Sequence, residues 1–409
     1  MEYVKLKDIT TKITKGTTPS NIGDSFTDEG INYFRSEMLG KTKYLDKSSG
    51  MMFISENTHN KLKRSQIEAD DILFSMAGIY LGKLAIVKDE DVPANTNQAV
   101  ALIRFNKDVN IDYLYYFMVQ KSFNAYVNCM SAQAAQPNIN LKQIGNLQIA
   151  LPTDEQQKRI AGILSAYDSL IENNNKRIKL LEQMAENLYK EWFIRFRFPG
   201  YENEYFIEDI PSFWSYVQLG DIASFDRGTS YSSDEINCDD GINLINLKNI
   251  QSYGGFRRDG TKQYNGKYKD SQIVAAGDLI LGVTDMTQDR RTVGSVALIP
   301  QSLGISAISA DLVKVNLKVP NVFFYCMCRY GFYSKYFSQF ANGANVLHLK
   351  PNVLLNKKIL LPTAELIEAF TEKVQPMIDI VDDLNRQNDL LTKQRDMLLP
   401  RLMSGKIEV

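Results

Sequence analysis

The sequence holds little of what catalytic and metal sites are usually built from. Among its 409 residues there are two histidines and four cysteines. His59 and His348 stand too far from any partner to suggest a triad or a metal site. Cys129, Cys238, Cys326 and Cys328 include one close pair, with no His or Cys following at finger or ribbon spacing, so reduced thiols are expected. No glycine run ends in Gly-Lys-Ser/Thr, which excludes a phosphate loop and ATP-driven translocation by this chain. An Asn-Pro-Pro-aromatic run and a glycine-rich cofactor loop are also missing, so the chain alone is not expected to transfer methyl groups. None of the 48 acidic residues is followed by lysine two positions later, which argues against a metal-dependent nuclease of that pattern. No apolar run approaches about twenty residues, and Met1 to Thr10 is amphipathic and charged, unlike a signal peptide. A cytoplasmic protein without a membrane partner is expected.

What is present is a well-folded composition, 44% hydrophobic and 11% aromatic, on a length that suits two or three packed domains. The formal net charge of -1 does not favour nucleic acid, but local clusters decide that question better than the sum.

The chain repeats itself once, at an offset of about 210 residues. Leu6-Lys7-Asp8-Ile9 returns as Leu219-Gly220-Asp221-Ile222, and Lys15-Gly16-Thr17 as Arg227-Gly228-Thr229. Asp71-Ile72-Leu73 returns as Asp278-Leu279-Ile280, and Leu151-Pro152-Thr153 as Leu361-Pro362-Thr363. Each copy begins with short strands and glycine turns, predicted over 71–77, 83–87 and 98–105, then over 278–283, 294–299 and 310–315. Aromatic-rich helices are predicted over 112–130 and 321–339. Each copy ends in a long helix. Thr153 and Gln156 make a capping box for the first, while the second has Thr363 as cap but Leu366 at the third position. Pro376 is expected to bend or restart the second helix. The connector between the copies carries too many aromatics for a free linker.

Basic residues gather with aromatics and amides in matching regions. In the first copy they are Arg35, Lys41, Lys43, Lys61, Lys63 and Arg64. In the second they are Lys248, Arg257, Arg258, Lys262, Lys267 and Lys269, with the aromatic Tyr264 among them, followed by Arg290 and Arg291. Such residues neutralise phosphates and address base edges. Amide-rich turns supply further candidates, Gln133 and Asn138 in one copy and Asn342 and Asn345 in the other, with Tyr80 beside a strand end. A solvated charged face remains the plain alternative for any one of them.

This layout resembles the specificity subunit of type I restriction-modification systems. The resemblance rests on Gly16-Thr17-Thr18-Pro19, on Asp71-Ile72-Leu73-Phe74-Ser75 leading to Gly78 and Gly82-Lys83, and on Leu151-Pro152-Thr153-Asp154-Glu155-Gln156 leading to Ile160. It implies a mixed α/β (α+β) fold, with two target-recognition domains separated by two long antiparallel coiled-coil helices in an internal pseudo-twofold repeat. The expected divisions are 1–153 and 216–362 for the recognition domains, 154–195 and 363–409 for the helices, and 196–215 for the connector. It further implies a non-catalytic subunit that binds a bipartite double-stranded DNA target. Its partners would be two methyltransferase subunits using S-adenosylmethionine for adenine-N6 methylation, and two restriction subunits using ATP and magnesium. No cofactor belongs to this chain itself. The alternative is a coiled-coil scaffold whose globular domains bind protein.

A heptad reading of the first long helix places Ile160, Tyr167, Asn174, Leu181 and Leu188 at one seam position and Leu164, Ile171, Ile178, Ala185 and Trp192 at the other. The second gives Phe370, Met377, Leu384, Leu391 and Leu398, alternating with Val374, Val381, Asn388, Arg395 and Leu402. The antiparallel register that sets Asn174 against Asn388 also brings Ile178 to Leu384 and Leu188 to Val374. It is the expected register, because a slipped one strands a buried amide.

Overall fold

In the computed structural model, residues 2–131, 138–236 and 240–408 are described. The chain forms two compact units, Met1–Glu172 with Asp389–Val409, and Asn173–Asn388. Each long helix therefore contributes one stretch to each unit.

The first unit is built on two four-stranded sheets. One has the order Thr10–Lys15, Val100–Phe105, Ile72–Ser75, Leu84–Ile86, all antiparallel. The other has the order Phe26–Thr27, Met52–Ile54, Ile31–Phe34, Ala94–Thr96, and its last pair is parallel. A short pair, Glu2–Lys5 against Gln148–Leu151, closes the domain before the long helix leaves it. Every residue of Ile72–Ser75 is buried, as a central strand covered on both faces requires.

The second unit repeats this plan. Its first sheet runs Ala223–Arg227, Leu312–Leu317, Leu279–Gly282, Val296–Leu298, the same order with the same directions. Its second sheet again pairs one strand, Ile242–Ile245, parallel with the later Ser306–Ile308 and antiparallel with Lys262–Tyr264. Ser215–Gln218 against Lys358–Leu361 is the counterpart of the closing pair.

The repeated sequence motifs have physical causes in this plan. A Cβ on Gly16 would lie 1.7 Å from the Thr96 carbonyl oxygen, and one on Gly228 would lie 2.1 Å from that of Ser309. Both glycines sit where the chain leaves the first sheet and crosses the end of a strand in the second, so only a hydrogen fits. The N–H of Thr17 donates to Thr96 at 3.0 Å, and that of Thr229 to Ile308 at 2.8 Å. Asp71 is fully buried and receives Arg104 through Nε and Nη2, both at 2.8 Å. Its counterpart Asp278 receives Lys314 Nζ at 2.7 Å.

The predicted aromatic helices are each split in two. The first breaks after Ile111–Met118, where Gln120 Nε2 donates to the Phe117 carbonyl at 3.1 Å, and resumes as Lys121–Ser131. The second breaks between Asn321–Tyr330 and Tyr333–Ser338, at Gly331 and at Phe332 with a φ of 66°.

The first long helix runs Asp154–Tyr189 and ends in a π-turn, Lys190–Ile194. At its start the Gln156 N–H donates to Thr153 Oγ1 at 3.4 Å and Gln156 Oε1 accepts from the Thr153 N–H at 3.3 Å. The second helix is continuous over Ala364–Met403. It does not restart at Pro376, so of the bend or restart expected there the restart is ruled out. Pro376 is exposed, so the carbonyl that loses its partner faces water.

Within the second unit the two helices pack antiparallel. Trp192 stacks near Phe370 at 5.9 Å between ring centroids, Leu188 and Val374 share one apolar cluster, and Asn174 Nδ2 donates to Asn388 Oδ1 at 3.0 Å. Asn388 Nδ2 in turn donates to Asn175 Oδ1 at 2.9 Å. The connector folds into the same core, with Phe198 and Trp214 buried beside Phe193. Within the first unit the other halves of the helices meet. Ile160 and Leu164 share a core with Leu399, Leu402 and Met403, and Arg395 Nη1 pairs with Asp168 at 2.5 Å.

Candidate nucleic-acid interface

The candidate residues divide by what their side chains already hold. Lys43 is buried, its ammonium bonded to Asp112 at 2.8 Å and to Ser165 Oγ of the first long helix at 2.9 Å. Arg258 does the equivalent work in the second unit. Its Nη1 meets Asp382 of the second long helix at 2.8 Å, and the other oxygen of Asp382 accepts from the Gln301 N–H at 2.9 Å. Both were expected among the DNA-contacting cations and both are braces between a recognition domain and a helix. Tyr264 is the third correction. It is buried to 1%, and its hydroxyl donates to the Lys267 carbonyl at 2.9 Å. A ring so placed cannot reach a duplex.

Other cations have surface partners that a phosphate can replace. Arg35 pairs with Glu37 at 3.0 Å, Lys41 with Asp46 at 2.6 Å, Lys61 with Asp24 at 2.8 Å, Arg257 with Asp259 at 2.8 Å and Arg291 with Asp289 at 3.0 Å. Lys63 and Arg64 are exposed side by side on a short 3-10 turn, with no acidic partner among the described residues. Lys248, Lys267 and Lys269 are exposed, and Lys262 lies over the Tyr231 ring at 5.2 Å.

A second group gathers where the strand Ile72–Ser75 leaves its sheet. Ala77 bridges Asn138, and the Ile139 N–H donates to the Met76 carbonyl at 3.0 Å. A cleft of about 410 Å³ opens there, lined by Lys15, Gln98, Asn138, Asn140 and Gln143 among others. Tyr80 stands in the adjoining loop with Lys83 Nζ 4.8 Å from its ring centre. Gln133 lies outside the described residues.

In the second unit the equivalent place is the pair Thr284–Asp285 with Leu347–His348, where the Leu349 N–H donates to the Val283 carbonyl at 2.8 Å. The structural counterpart of Asn138 is therefore His348. Sequence reasoning set the histidine aside and matched Asn138 to the Asn342–Asn345 turn; both of those asparagines are exposed, and Asn342 bridges His348. The loop that follows is longer here and is tied by a buried carboxylate. Burial alone would raise the Asp285 carboxyl, but the N–H groups of Thr292 at 2.8 Å and Thr287 at 2.9 Å, with both hydroxyls, hold it below the usual carboxylate range. Arg290 has a φ of 56° and donates from Nη1 to the Ser338 carbonyl at 3.0 Å, which leaves Arg291 exposed at the loop's outer side.

Among the described residues no group of three His, Cys, Asp or Glu side chains could hold a metal ion. No described helix is long and apolar enough to cross a membrane. What both places offer is amides, cations and, in the second, an imidazole at a strand exit, groups suited to hydrogen-bonded recognition.

Comparison with known proteins agrees with that chemistry. Residues 1–183 match the family model described as the type I restriction modification DNA specificity domain. The specificity subunit of the type I restriction enzyme MjaIX from Methanocaldococcus jannaschii is 27% identical, over 99% of this chain and 93% of its own. That of the HindI enzyme from Haemophilus influenzae is 22% identical, over 84% and 88%. The crystal structure of the type I restriction-modification S subunit from M. genitalium shares the fold, with a TM-score of 0.61 at 14% identity, covering 98% of this chain and 95% of that one. Along nearly its whole length the chain is thus similar to type I restriction-modification specificity subunits.

Proposed function

We propose that the chain is the non-catalytic DNA-reading subunit of a cytoplasmic type I complex, directing adenine-N6 methylation and restriction by partner subunits at a bipartite duplex target. The single observation that carries the two-part target is the identical order of the first sheet in the two units, each with its own polar strand exit. Each unit reads one half-site. Partner methyltransferase subunits supply S-adenosylmethionine chemistry, and restriction subunits supply ATP- and magnesium-dependent translocation and cleavage. Two modest contacts on one chain give a specific complex, because the second contact becomes intramolecular. The relatives carry the names of specificity subunits, which gives the scaffold reading no support.

The test is domain exchange. Residues 1–150 are replaced by those of a relative in one chimera and residues 214–360 in another, and each is expressed with the methyltransferase subunit. Methylome sequencing is expected to show one half-site changed in each chimera. Both half-sites changing together would refute one reader per domain, and methylation by the purified chain alone would refute the non-catalytic assignment.

A further inference from the structure

The two strand exits share a feature that hydrogen-bonded recognition does not use. In the first unit the exit loop follows Met76 and closes at Gly82, whose N–H donates to the Ser75 carbonyl at 3.0 Å. In the second it follows Val283 and closes at Gly294, whose N–H donates to the Gly282 carbonyl at 2.8 Å. Both closing glycines have a φ of 79°. The third residue after Met76 is Ile79, and the third after Val283 is Met286. Ile79 is 87% exposed and Met286 is 69% exposed.

A large aliphatic side chain held in water contributes nothing to its own fold, and here one recurs at the same place in both copies although the loops differ in length. Neither is loosely placed. Gly78 with a φ of 66° turns the first loop, and the Asp285 carboxylate ties the second at Thr287 and Thr292. Cations stand beside each, Lys83 over Tyr80 in the first loop and, in the second, Arg290 and Arg291, the latter paired with Asp289 at 3.0 Å. Ile and Met have no side-chain hydrogen-bond donor and at most a weak acceptor in the thioether sulfur, so their contribution to a duplex is shape and apolar surface. Single apolar side chains on a cationic support are what enters a base stack, where the phosphates meet the cations and the side chain replaces lost stacking. A protein partner is less well served, because each tip is one side chain among Gly78, Tyr80, Thr287 and Gln288 and not a contiguous patch.

We propose that Ile79 and Met286 are apolar wedges, each lodging between neighbouring base pairs of the half-site read by its own domain. The proposal rests on the DNA-reading function above. Insertion unstacks one step in each half-site and makes that step's deformability part of the sequence preference.

The experiment uses the full chain assembled with its methyltransferase subunit, and a duplex carrying the target found by methylome sequencing. 2-Aminopurine is placed in turn at each position of each half-site except the methylated adenine. The expected result is enhanced fluorescence at one step per half-site. Ile79→Ala is expected to abolish the first enhancement alone and Met286→Ala the second alone, each weakening binding about tenfold. Ile79→Met should retain the signal. Circular dichroism should leave both alanine variants folded, since the side chains are exposed. Normal binding with no enhancement at any step overturns the wedge and leaves the DNA-reading function standing. Deoxyuridine in place of thymine lowering affinity without any fluorescence change overturns it in favour of a methyl contact. Loss of methyltransferase binding in the absence of DNA overturns it in favour of a partner contact. A wild-type assembly that binds no duplex sinks the function and the wedge together.

Discussion

Asn174 Nδ2 donates to Asn388 Oδ1 at 3.0 Å between two helices whose other seam positions are mostly apolar. Asn174 is buried to 7% and Asn388 is half-buried. Replacing either one alone by leucine removes this bond and leaves Asn388 only its donation to Asn175, or Asn174 only its donation to Gln387 at 3.4 Å, at a cost of about 1–2 kcal/mol. Replacing both removes the need for a partner and should recover that loss. The measurement is a double-mutant cycle in urea. Coupling near zero would show that the two amides act independently.

The sorting of cations into braces and surface residues gives opposite expectations. Arg258→Ala strips Asp382 of its cation and leaves it only the Gln301 N–H, and both side chains are about four-fifths buried. It should lower stability by about 2–3 kcal/mol and leave the salt dependence of DNA binding unchanged. Lys63→Ala and Arg64→Ala should leave stability unchanged and each reduce the slope of log affinity against log salt by about 1. Titration at several salt concentrations, beside urea unfolding, separates the two groups. A changed slope in Arg258→Ala would return it to the interface.

Two glycines should respond oppositely to alanine. At Gly16 the new methyl meets the Thr96 carbonyl, so the strand crossing must shift, and about 2–3 kcal/mol of stability should be lost. At Gly162, exposed in the first long helix with nothing within 4 Å of an added Cβ, alanine should gain about 0.5–1 kcal/mol. Thermal unfolding of the two variants checks both signs. A neutral Gly16→Ala would mean the close approach is not a constraint.

Asp285 sets an acid limb. Its folded carboxyl is held below its unfolded range, so its contribution is complete above the unfolded pKa of 3.8 and disappears as pH falls through the folded value. Asp285→Asn should therefore cost stability at pH 7, and its deficit against the wild type should shrink below about pH 4. Urea midpoints of the two proteins from pH 7 downward provide the check, and a deficit independent of pH would assign the effect to packing.

The repeat was legible because the residues that carry it cannot be exchanged without a clash or a lost ion pair. Gly16 and Gly228 face carbonyls, and Asp71 and Asp278 each hold a cation of the neighbouring strand. The second sheet of each domain was not legible. Phe26–Thr27 and Ile273–Val274 are two residues long, too short to show a period. Nor could sequence separate braces from surface cations, since Lys43 finds Ser165, and Arg258 finds Asp382, across more than a hundred positions. His348 is not legible as the counterpart of Asn138 because the two exit loops differ in length, which shifts the local amides away from the residue that pairs with Thr284.

The first recognition domain is completed by residues that follow the whole second domain in the chain. Leu399, Leu402 and Met403 lie in one core with Leu6, Ile9 and Ile160, so during synthesis that core stays open until the ribosome has passed the whole second domain. The second domain takes both of its helical stretches from within residues 173–388 and meets no such delay. The domain that is translated first is thus the later of the two to close, and its apolar face at Ile160 and Leu164 needs shielding throughout that interval.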